Sequence, residues 1–200
     1  MVRVEIRRAG VVRGGRRLLG GADLVLEPGT LTVVTGAEAT TLLELAAGLA
    51  PAEGSVRFDG VDVRRLGDEV LASSVAVVTR RPFVTAGSIR DNVTLGAGAD
   101  PREALRIAAL PEDGDPGDYR HQIAIARAVS RRPRLIVLDD ATTDLEPAVE
   151  LQVLQNLATT GITVVVTTTR PVPFADQVVQ LSEGRRPHPV ATGRPVGATA

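Results

Sequence analysis

The sequence predicts a single α/β domain built on a mainly parallel sheet that is covered by helices. From residue 31 onward, short β-branched strands alternate with segments of helical periodicity, which is typical of parallel βαβ units. The 200 residues, 44% of them hydrophobic, are enough for one well-buried core. We expect the domain to span residues 1–186 and residues 187–200, rich in Pro, Gly and small side chains, to form a disordered tail.

The individual elements follow from apolar periodicity and turn residues. Apolar and polar residues alternate in residues 2–6 and 22–26, which predicts a small N-terminal antiparallel region. Strand LTVVTG ends at Gly36, and leucines at helical spacing follow it. The remaining predicted elements are a hairpin at 55–66, a strand at 74–79, helices at 100–110 and 119–130, a strand at 135–140, a helix at 147–158, and strands at 162–167 and 178–181.

Composition excludes several classes of chemistry. Lysine is absent, so this sequence cannot supply a lysine ammonium or a Schiff base, and the absence of cysteine excludes disulfides and thiolate sites. His121 and His188 are too far apart in sequence to suggest a metal cage. The net charge of −1 predicts no nucleic-acid partner. No signal-peptide core or membrane-length apolar run is present, so we expect a cytoplasmic location.

Two segments carry a family resemblance. Residues 123–147, IAIARAVSRRPRLIVLDDATTDLEP, resemble the ATP-binding domain of ABC transporters from the signature helix through the Walker B strand to the D-loop. Residues 77–93, VVTRRPFVTAGSIRDNV, resemble the Q-loop region of exporter-type members. The resemblance covers about residues 3–186 and implies a P-loop NTPase-like fold, with a shortened helical arm in this sequence.

The resemblance also implies ligands and partners. It implies ATP and Mg as cofactors, a membrane-spanning transporter subunit as partner, and a second ATP-binding domain in a homo- or heterodimer. With such a membrane subunit, the chain would lie peripherally at the inner face of the cell membrane.

The phosphate loop departs from the family motif G-x-x-x-x-G-K-[ST], whose amides and lysine surround the phosphates. The segment is three residues short and lacks the second glycine and the lysine; it consists of Gly36, Ala37, Glu38, Ala39, Thr40 and Thr41. Glu38 adds negative charge where the motif attracts phosphate. The segment is therefore either a nucleotide site or an ordinary strand-to-helix turn. Thr40 matches the magnesium ligand by position.

Two carboxylates end the strand at 135–140. The resemblance places Asp139 at the Walker B aspartate, which holds magnesium through water, and Asp140 at the catalytic glutamate. Asp140 is one methylene shorter than glutamate, and a small misplacement of a catalytic group costs a large factor in rate. The alternative is that both residues form a solvated strand end.

Three further positions of the family pattern differ. Arg80 stands at the Q-loop glutamine, and because arginine cannot accept a hydrogen bond it either contacts phosphate or is a surface side chain. The signature positions include Pro116, Gly117, Asp118 and Tyr119, which alternatively form a simple turn. Thr169 stands at the switch histidine and cannot titrate as histidine does. The aromatic residue expected near Val11 or Val12 is missing.

Function is predicted from this mixture of retained framework and altered phosphate contacts. Because both the phosphate loop and the signature differ in one chain, we favour a degenerate ATP-binding-domain subunit, a pseudo-ATPase with weak or no ATP hydrolysis and a structural or regulatory role. The alternatives are an active ATP-hydrolysing subunit and an inactive fragment of an exporter chain.

Overall fold

The computed structural model describes residues 1–50, 53–95, 100–181 and 188–190, the last three by their backbone alone. The strands are β1 Val4–Arg13, β2 Arg16–Leu26, β3 Leu31–Gly36, β4 Glu53–Phe58, β5 Val61–Asp62, β6 Val75–Thr79, β7 Leu135–Asp139, β8 Thr163–Thr167, β9 Gln177–Leu181 and β10 His188–Val190. The helices are α1 Ala39–Ala46, α2 Asp68–Ser74, α3 Ile89–Thr94, α4 Arg102–Ile107, α5 Arg120–Ser130 and α6 Pro147–Ala158.

The larger sheet has the order β10-β9-β3-β8-β7-β6. Its strands from β9 to β6 run parallel, and β10 pairs antiparallel with β9 at one edge. This architecture confirms the predicted parallel sheet with covering helices. Because the carboxyl ends of parallel strands meet at one edge, the segments after β3, β7 and β8 lie at the same edge of the sheet.

The smaller sheet is antiparallel, with the order β2-β1-β4-β5, and confirms the predicted N-terminal β region. Helix α1 lies between the two sheets and contacts strands of both. Its side chains Leu42, Leu43 and Leu45 are fully buried there, which explains the helical leucine spacing. One face of the parallel sheet thus packs on α1 and the antiparallel sheet, through residues such as Val137 and Val165.

Helices cover the other face of the parallel sheet. Ile136, Leu138 and Val166, which alternate with the residues of the opposite face, pack in one core with residues of α3 to α6. Helices α3 and α4 both pack against α5 and form the shortened helical arm. Arg127 of α5 lies 4.4 Å from the ring centre of Phe83 and donates to the Phe83 carbonyl, so it fixes the segment after β6.

Several elements differ from the sequence predictions. Strands β1 and β2 extend to a tight turn at Gly14 and Gly15, both at positive φ, instead of stopping near the ends of the apolar alternation. Helices α2 and α3 were not predicted. His188–Val190 form β10 within the segment expected to be a disordered tail, and the rest of that segment lies outside the described residues.

Candidate functional site

The turn between β3 and α1 contains the predicted phosphate loop. Strand β3 ends at Gly36 and α1 begins at Ala39, so only Ala37 and Glu38 separate them. Gly36 has φ of 98°, and a Cβ there would lie 2.1 Å from the carbonyl oxygen of Leu181. Glu38 has φ of 65°, in the left-handed region that favours glycine. The turn is thus three residues shorter than the phosphate-loop motif and lies against the backbone of β9.

The carboxylate of Glu38 has partners within the chain. Thr41 Oγ1 donates to Glu38 Oε2 at 3.3 Å, and Arg16 Nη2 lies 3.9 Å from Glu38 Oε1. Arg13 Nη2 donates to Glu44 Oε2 of α1 at 2.8 Å. These ion pairs link the hairpin of β1 and β2 to α1. The start of α1, where a phosphate would be favoured by the helix dipole, is therefore flanked by a carboxylate.

Thr40 and Asp139, the two positions predicted for magnesium, lie in direct contact. Thr40 Oγ1 donates to Asp139 Oδ1 at 2.8 Å across the edge of the sheet. Burial raises the pKa of Asp139, the Thr40 hydrogen bond opposes this, and the carboxylates of Asp140 and Glu44 raise the pKa further. The site therefore combines one hydroxyl with several carboxylates and no neighbouring ammonium group.

Asp140 is held by the next strand of the sheet. Its amide donates to Thr167 Oγ1 at 2.7 Å, and this hydroxyl lies 3.1 Å from Asp140 Oδ1, to which it donates. Asp140 is half-buried with φ of 51°, so it is more constrained than a freely solvated strand end. Thr169, at the end of the same segment, is exposed, and no hydrogen bond within the described residues joins it to Asp140.

Arg80 contacts the D-loop rather than the phosphate-loop turn. Its guanidinium is exposed and lies 4.0 Å from Asp144 Oδ1. The Arg80 carbonyl accepts a hydrogen bond from His121 Nε2 at 2.9 Å, and the same nitrogen lies 3.7 Å from Asp144 Oδ2. His121, at the start of α5, is thus a third member of this cluster, which sequence reasoning missed because its partners come from two distant loops.

The predicted signature segment, residues 116–119, forms a turn that uses its own amides. Asp115 Oδ1 accepts from the Gly117 amide at 2.8 Å, and the Asp115 carbonyl accepts from the Asp118 amide at 3.0 Å. The Tyr119 amide donates to the Pro116 carbonyl at 3.2 Å, directly before α5 begins. Pro116 has no N–H, and the amides of Gly117, Asp118 and Tyr119 all have partners within residues 115–119.

A buried ion pair lies beside this site and was not predicted. Glu150 of α6, 1% exposed, lies within hydrogen-bond distance of Arg170, which follows Thr169. Glu150 stands at helical spacing from the buried Val153, Leu154 and Leu157, so its carboxylate falls on the core-facing side of α6. A charged residue within an apolar stripe was the sequence signal that could have identified it.

The predicted residues therefore separate into two groups. The structure brings together Thr40, Asp139 and Asp140 at the carboxyl edge of the sheet, whereas Arg80 contacts His121 and Asp144, and residues 116–119 bond within their own turn and to Asp115. Within the described residues, no three His, Asp or Glu side chains form a group that could hold a metal ion.

Comparison with known proteins gives the family. No family model matches the chain. The mycobactin import ATP-binding/permease protein IrtB of Mycolicibacterium thermoresistibile is 36% identical over 72% of this chain and 29% of its own length. ABC transporter ATP-binding protein RamA of Streptomyces coelicolor is 37% identical over 74% of this chain and 27% of its own length. The chain belongs to the ATP-binding domains of ABC transporters.

Other similar proteins are also ABC transporter proteins, and the match covers a larger fraction of this chain. An uncharacterised ABC transporter ATP-binding protein of Mycobacterium tuberculosis is 33% identical over 84% of this ABC-type domain and 34% of its own length. The chain thus spans about a third of the length of the curated relatives it matches. A solved bacterial Atm1-family ABC exporter with ATP bound matches with a TM-score of 0.79, over 92% of this chain and 38% of its own, and at 21% identity it supports the fold.

In the part of the chain that the structure describes, none of the helices is both long and apolar enough to cross a bilayer.

Proposed function

We propose that this chain is a degenerate ATP-binding domain of an ABC-type membrane transporter, which hydrolyses ATP weakly or not at all and has a structural or regulatory role. The observation that carries the proposal is the phosphate-loop turn. Only Ala37 and Glu38 separate β3 from α1, and the Glu38 carboxylate pairs with Arg16 and Thr41. A triphosphate would meet a negative charge and too few amides at this position.

The absence of lysine supports the same proposal. In phosphate-loop proteins a lysine bridges the β- and γ-phosphates, and no residue of this sequence provides that group. Arg13 and Arg16 form ion pairs with carboxylates at this turn and in α1, Arg13 with Glu44 and Arg16 with Glu38. Nucleotide would have to break these pairs in order to use either guanidinium.

The turn at residues 116–119 adds a second, independent argument. In the family, the signature loop of one domain contacts the nucleotide of the other. Here Pro116 has no amide hydrogen, the Gly117 amide is bonded to Asp115, and the exposed Asp118 carries negative charge. A second ATP-binding domain paired with this chain would therefore gain little from this face, whether the pair is a homodimer or a heterodimer.

The proposed partners are a membrane-spanning transporter subunit and a second ATP-binding domain, with the chain at the inner face of the cell membrane. The relative IrtB is named an ATP-binding/permease protein, which supports a transport setting. The parallel sheet, α5 and the D-loop segment resemble those of the family. Their surfaces would contact these two partners. Its role would be to support or regulate the transporter rather than to supply energy.

An active ATP-hydrolysing subunit is the second candidate, and one observation favours it. Thr40 contacts Asp139, and Asp140 is positioned by Thr167, so the residues predicted for metal and water chemistry share one edge of the sheet. A third candidate, an inactive piece of an exporter chain, is compatible with the fraction of its relatives that the chain spans.

Binding and turnover measurements separate these candidates. The purified chain is mixed with labelled ATP and Mg, and bound nucleotide and released phosphate are measured beside an Asp140→Asn variant. We expect no binding at micromolar ATP and the same phosphate release from both proteins. Micromolar binding with turnover that Asp140→Asn abolishes would establish the active subunit instead.

A repaired loop provides the matched control. Replacing residues 37–39 by six residues of the pattern x-x-x-x-Gly-Lys restores the full motif between Gly36 and Thr40. If the short turn limits binding, this variant gains ATP binding while the original chain, shown to be folded by a cooperative melt, does not. Equal binding by the two proteins would contradict the proposal.

A further inference from the structure

We infer that Glu150 and Arg170 are positioning residues that hold two segments of the site as one unit. The first segment, the β7 turn, comprises residues 140–145, and the second, the β8 loop, comprises residues 168–170. Both segments follow the carboxyl ends of neighbouring parallel strands. The inference goes beyond the proposed function, because it applies whether or not the chain hydrolyses ATP.

The Glu150 carboxylate of α6 accepts hydrogen bonds from side chains of both segments. It is almost fully buried and accepts hydrogen bonds at both oxygens. Thr142 Oγ1 of the β7 turn donates to Oε1 at 2.6 Å, and Thr168 Oγ1 of the β8 loop donates to the same oxygen at 2.8 Å. Glu150 Oε1 therefore accepts from one hydroxyl of each segment, and Glu150 Oε2 accepts from the guanidinium of Arg170.

The Arg170 guanidinium, which belongs to the β8 loop, donates hydrogen bonds to the backbone of the β7 turn. Its Nη1 donates to Glu150 Oε2 at 2.6 Å and to the Leu145 carbonyl at 3.0 Å, and its Nη2 donates to the Thr143 carbonyl at 3.2 Å. The rigid planar fork of arginine can hold a carboxylate and two carbonyls at fixed relative positions, which a lysine ammonium cannot. Arg170 thus determines where the backbone of the β7 turn lies.

The backbone of both segments completes the network. The Arg170 amide donates to Thr168 Oγ1 at 3.1 Å, and the Leu145 amide donates to the Thr142 carbonyl at 3.0 Å. Asp140 opens the β7 turn and Thr169 lies within the β8 loop, so both predicted catalytic positions belong to the fixed unit.

Such a pair is better suited to fixing geometry than to adding stability. Removing a charged pair from water is costly, and apolar residues of similar volume often serve stability equally well. A fully satisfied polar network, in contrast, specifies one arrangement of its members. All of these hydrogen bonds join residues of this chain. The relative position of the β7 turn and the β8 loop is therefore set before any ligand or partner binds.

Amide hydrogen exchange tests the inference directly. In Arg170→Lys, which keeps the charge but loses the planar fork, we expect the amides of residues 145 and 170 to exchange at least tenfold faster. The amides of Val164 and Val166 in the neighbouring strand β8 should stay within twofold of the original chain. The Arg64→Lys variant makes the same substitution in an exposed Arg–Asp pair in another part of the chain and should leave all four amides unchanged.

Cross-effects distinguish positioning from a general loss of stability. Thr142→Val, in the β7 turn, should accelerate exchange at residue 170, and Thr168→Val, in the β8 loop, should accelerate exchange at residue 145. In a Glu150→Gln background both cross-effects should disappear, because the shared acceptor is weakened. Acceleration confined to the mutated segment, or an equal acceleration in β8, would overturn the inference.

Discussion

At Asp139, the predicted metal chemistry requires a charged carboxylate, whereas the folded environment favours the neutral form. The carboxylate is half-buried, and burial is the main cause that raises its pKa, with further raising by Asp140 and Glu44. Only the hydroxyl of Thr40 directly stabilises the charged form. At neutral pH the folded chain therefore maintains a carboxylate that would be charged more easily in the unfolded chain, which is common where a site is arranged for chemistry.

We predict that Asp139→Asn raises the free energy of unfolding at pH 7, by less than about 1 kcal/mol because the side chain is only partly buried. The folded pKa of Asp139 lies above the unfolded value of about 3.9, so the penalty is present above the folded pKa. It disappears as the pH falls towards the unfolded value. Urea unfolding of both proteins at several pH values between 4 and 7 measures the difference.

The difference between the two proteins should therefore shrink on acidification. Asp113→Asn, at an exposed loop position, is the control and should show little difference at any pH. A less stable Asp139→Asn at pH 7, or a difference that grows as the pH falls, would contradict the assignment of burial as the cause.

At the scale of single elements, the segment from residue 85 to α3 depends on one buried amide. Asn92 is fully buried, and its Oδ1 accepts from the Thr85 amide at 2.7 Å while its Nδ2 donates to the carbonyls of Thr85 and Ser88. Ser88 and Asp91 also form a capping box at the start of α3. A helix of six residues is thus stabilised by side-chain hydrogen bonds instead of by length.

We predict that Asn92→Ala lowers the free energy of unfolding by about 2 kcal/mol, because it removes the partners of a backbone amide and two carbonyls. Ser88→Ala, which removes the cap alone, should cost about 1 kcal/mol. Chemical denaturation followed by circular dichroism measures both. If Asn92→Ala were no worse than Ser88→Ala, the buried amide would not be the principal support of this segment.

Periodicity explains which elements the sequence predicted correctly. Strand β3 and helix α6 were predicted at their observed bounds because their apolar patterns are strict and their ends carry clear signals, such as Gly36 and Pro147. Helices α2 and α3 were missed because each is too short to show a period. Helix α3 is stabilised by its capping box and by the buried Asn92, which no local pattern reveals, whereas α2 has no side-chain cap.

The site was predictable to a similar degree. The contact of Thr40 with Asp139 follows from the shared carboxyl edge of parallel strands, together with the family resemblance. The cluster of Arg80, His121 and Asp144 and the pair of Glu150 with Arg170 depend on loops that meet only in the folded chain. The family resemblance supplied positions for Thr40, Asp139 and Arg80, but not for His121, Asp144, Glu150 or Arg170.

At the scale of the whole molecule, Thr163 joins the two sheets. Its hydroxyl accepts from the Val2 amide at 3.2 Å, donates to the Val2 carbonyl at 2.7 Å, and accepts from the Gly29 amide at 3.1 Å. Thr163 is fully buried in β8, whereas Val2 precedes β1 of the antiparallel sheet. The two layers around α1 are therefore connected by polar contacts as well as by the shared hydrophobic core.

We predict that Thr163→Val lowers the free energy of unfolding by about 2 kcal/mol, because the backbone groups of Val2 lose their buried partner. Unfolding should remain a single cooperative transition, since both sheets share one core around α1. Urea unfolding followed by circular dichroism is suitable because the chain has no tryptophan. Thr159→Val, at the exposed end of α6, should change stability by no more than about 0.5 kcal/mol. Two separate transitions in Thr163→Val would indicate independent layers.

The position of β3 in the sheet has a consequence for the order of folding. Among the described strands, β3 pairs with β8 and β9, and its first residue, Leu31, is matched to Val164. Strand β3 can therefore pair only after β8 and β9, which are distant in sequence, come into contact with it. Closing so long a loop is slow. During synthesis the nascent chain would carry β3 unpaired until most of the domain has left the ribosome, and that interval exposes an apolar strand to aggregation.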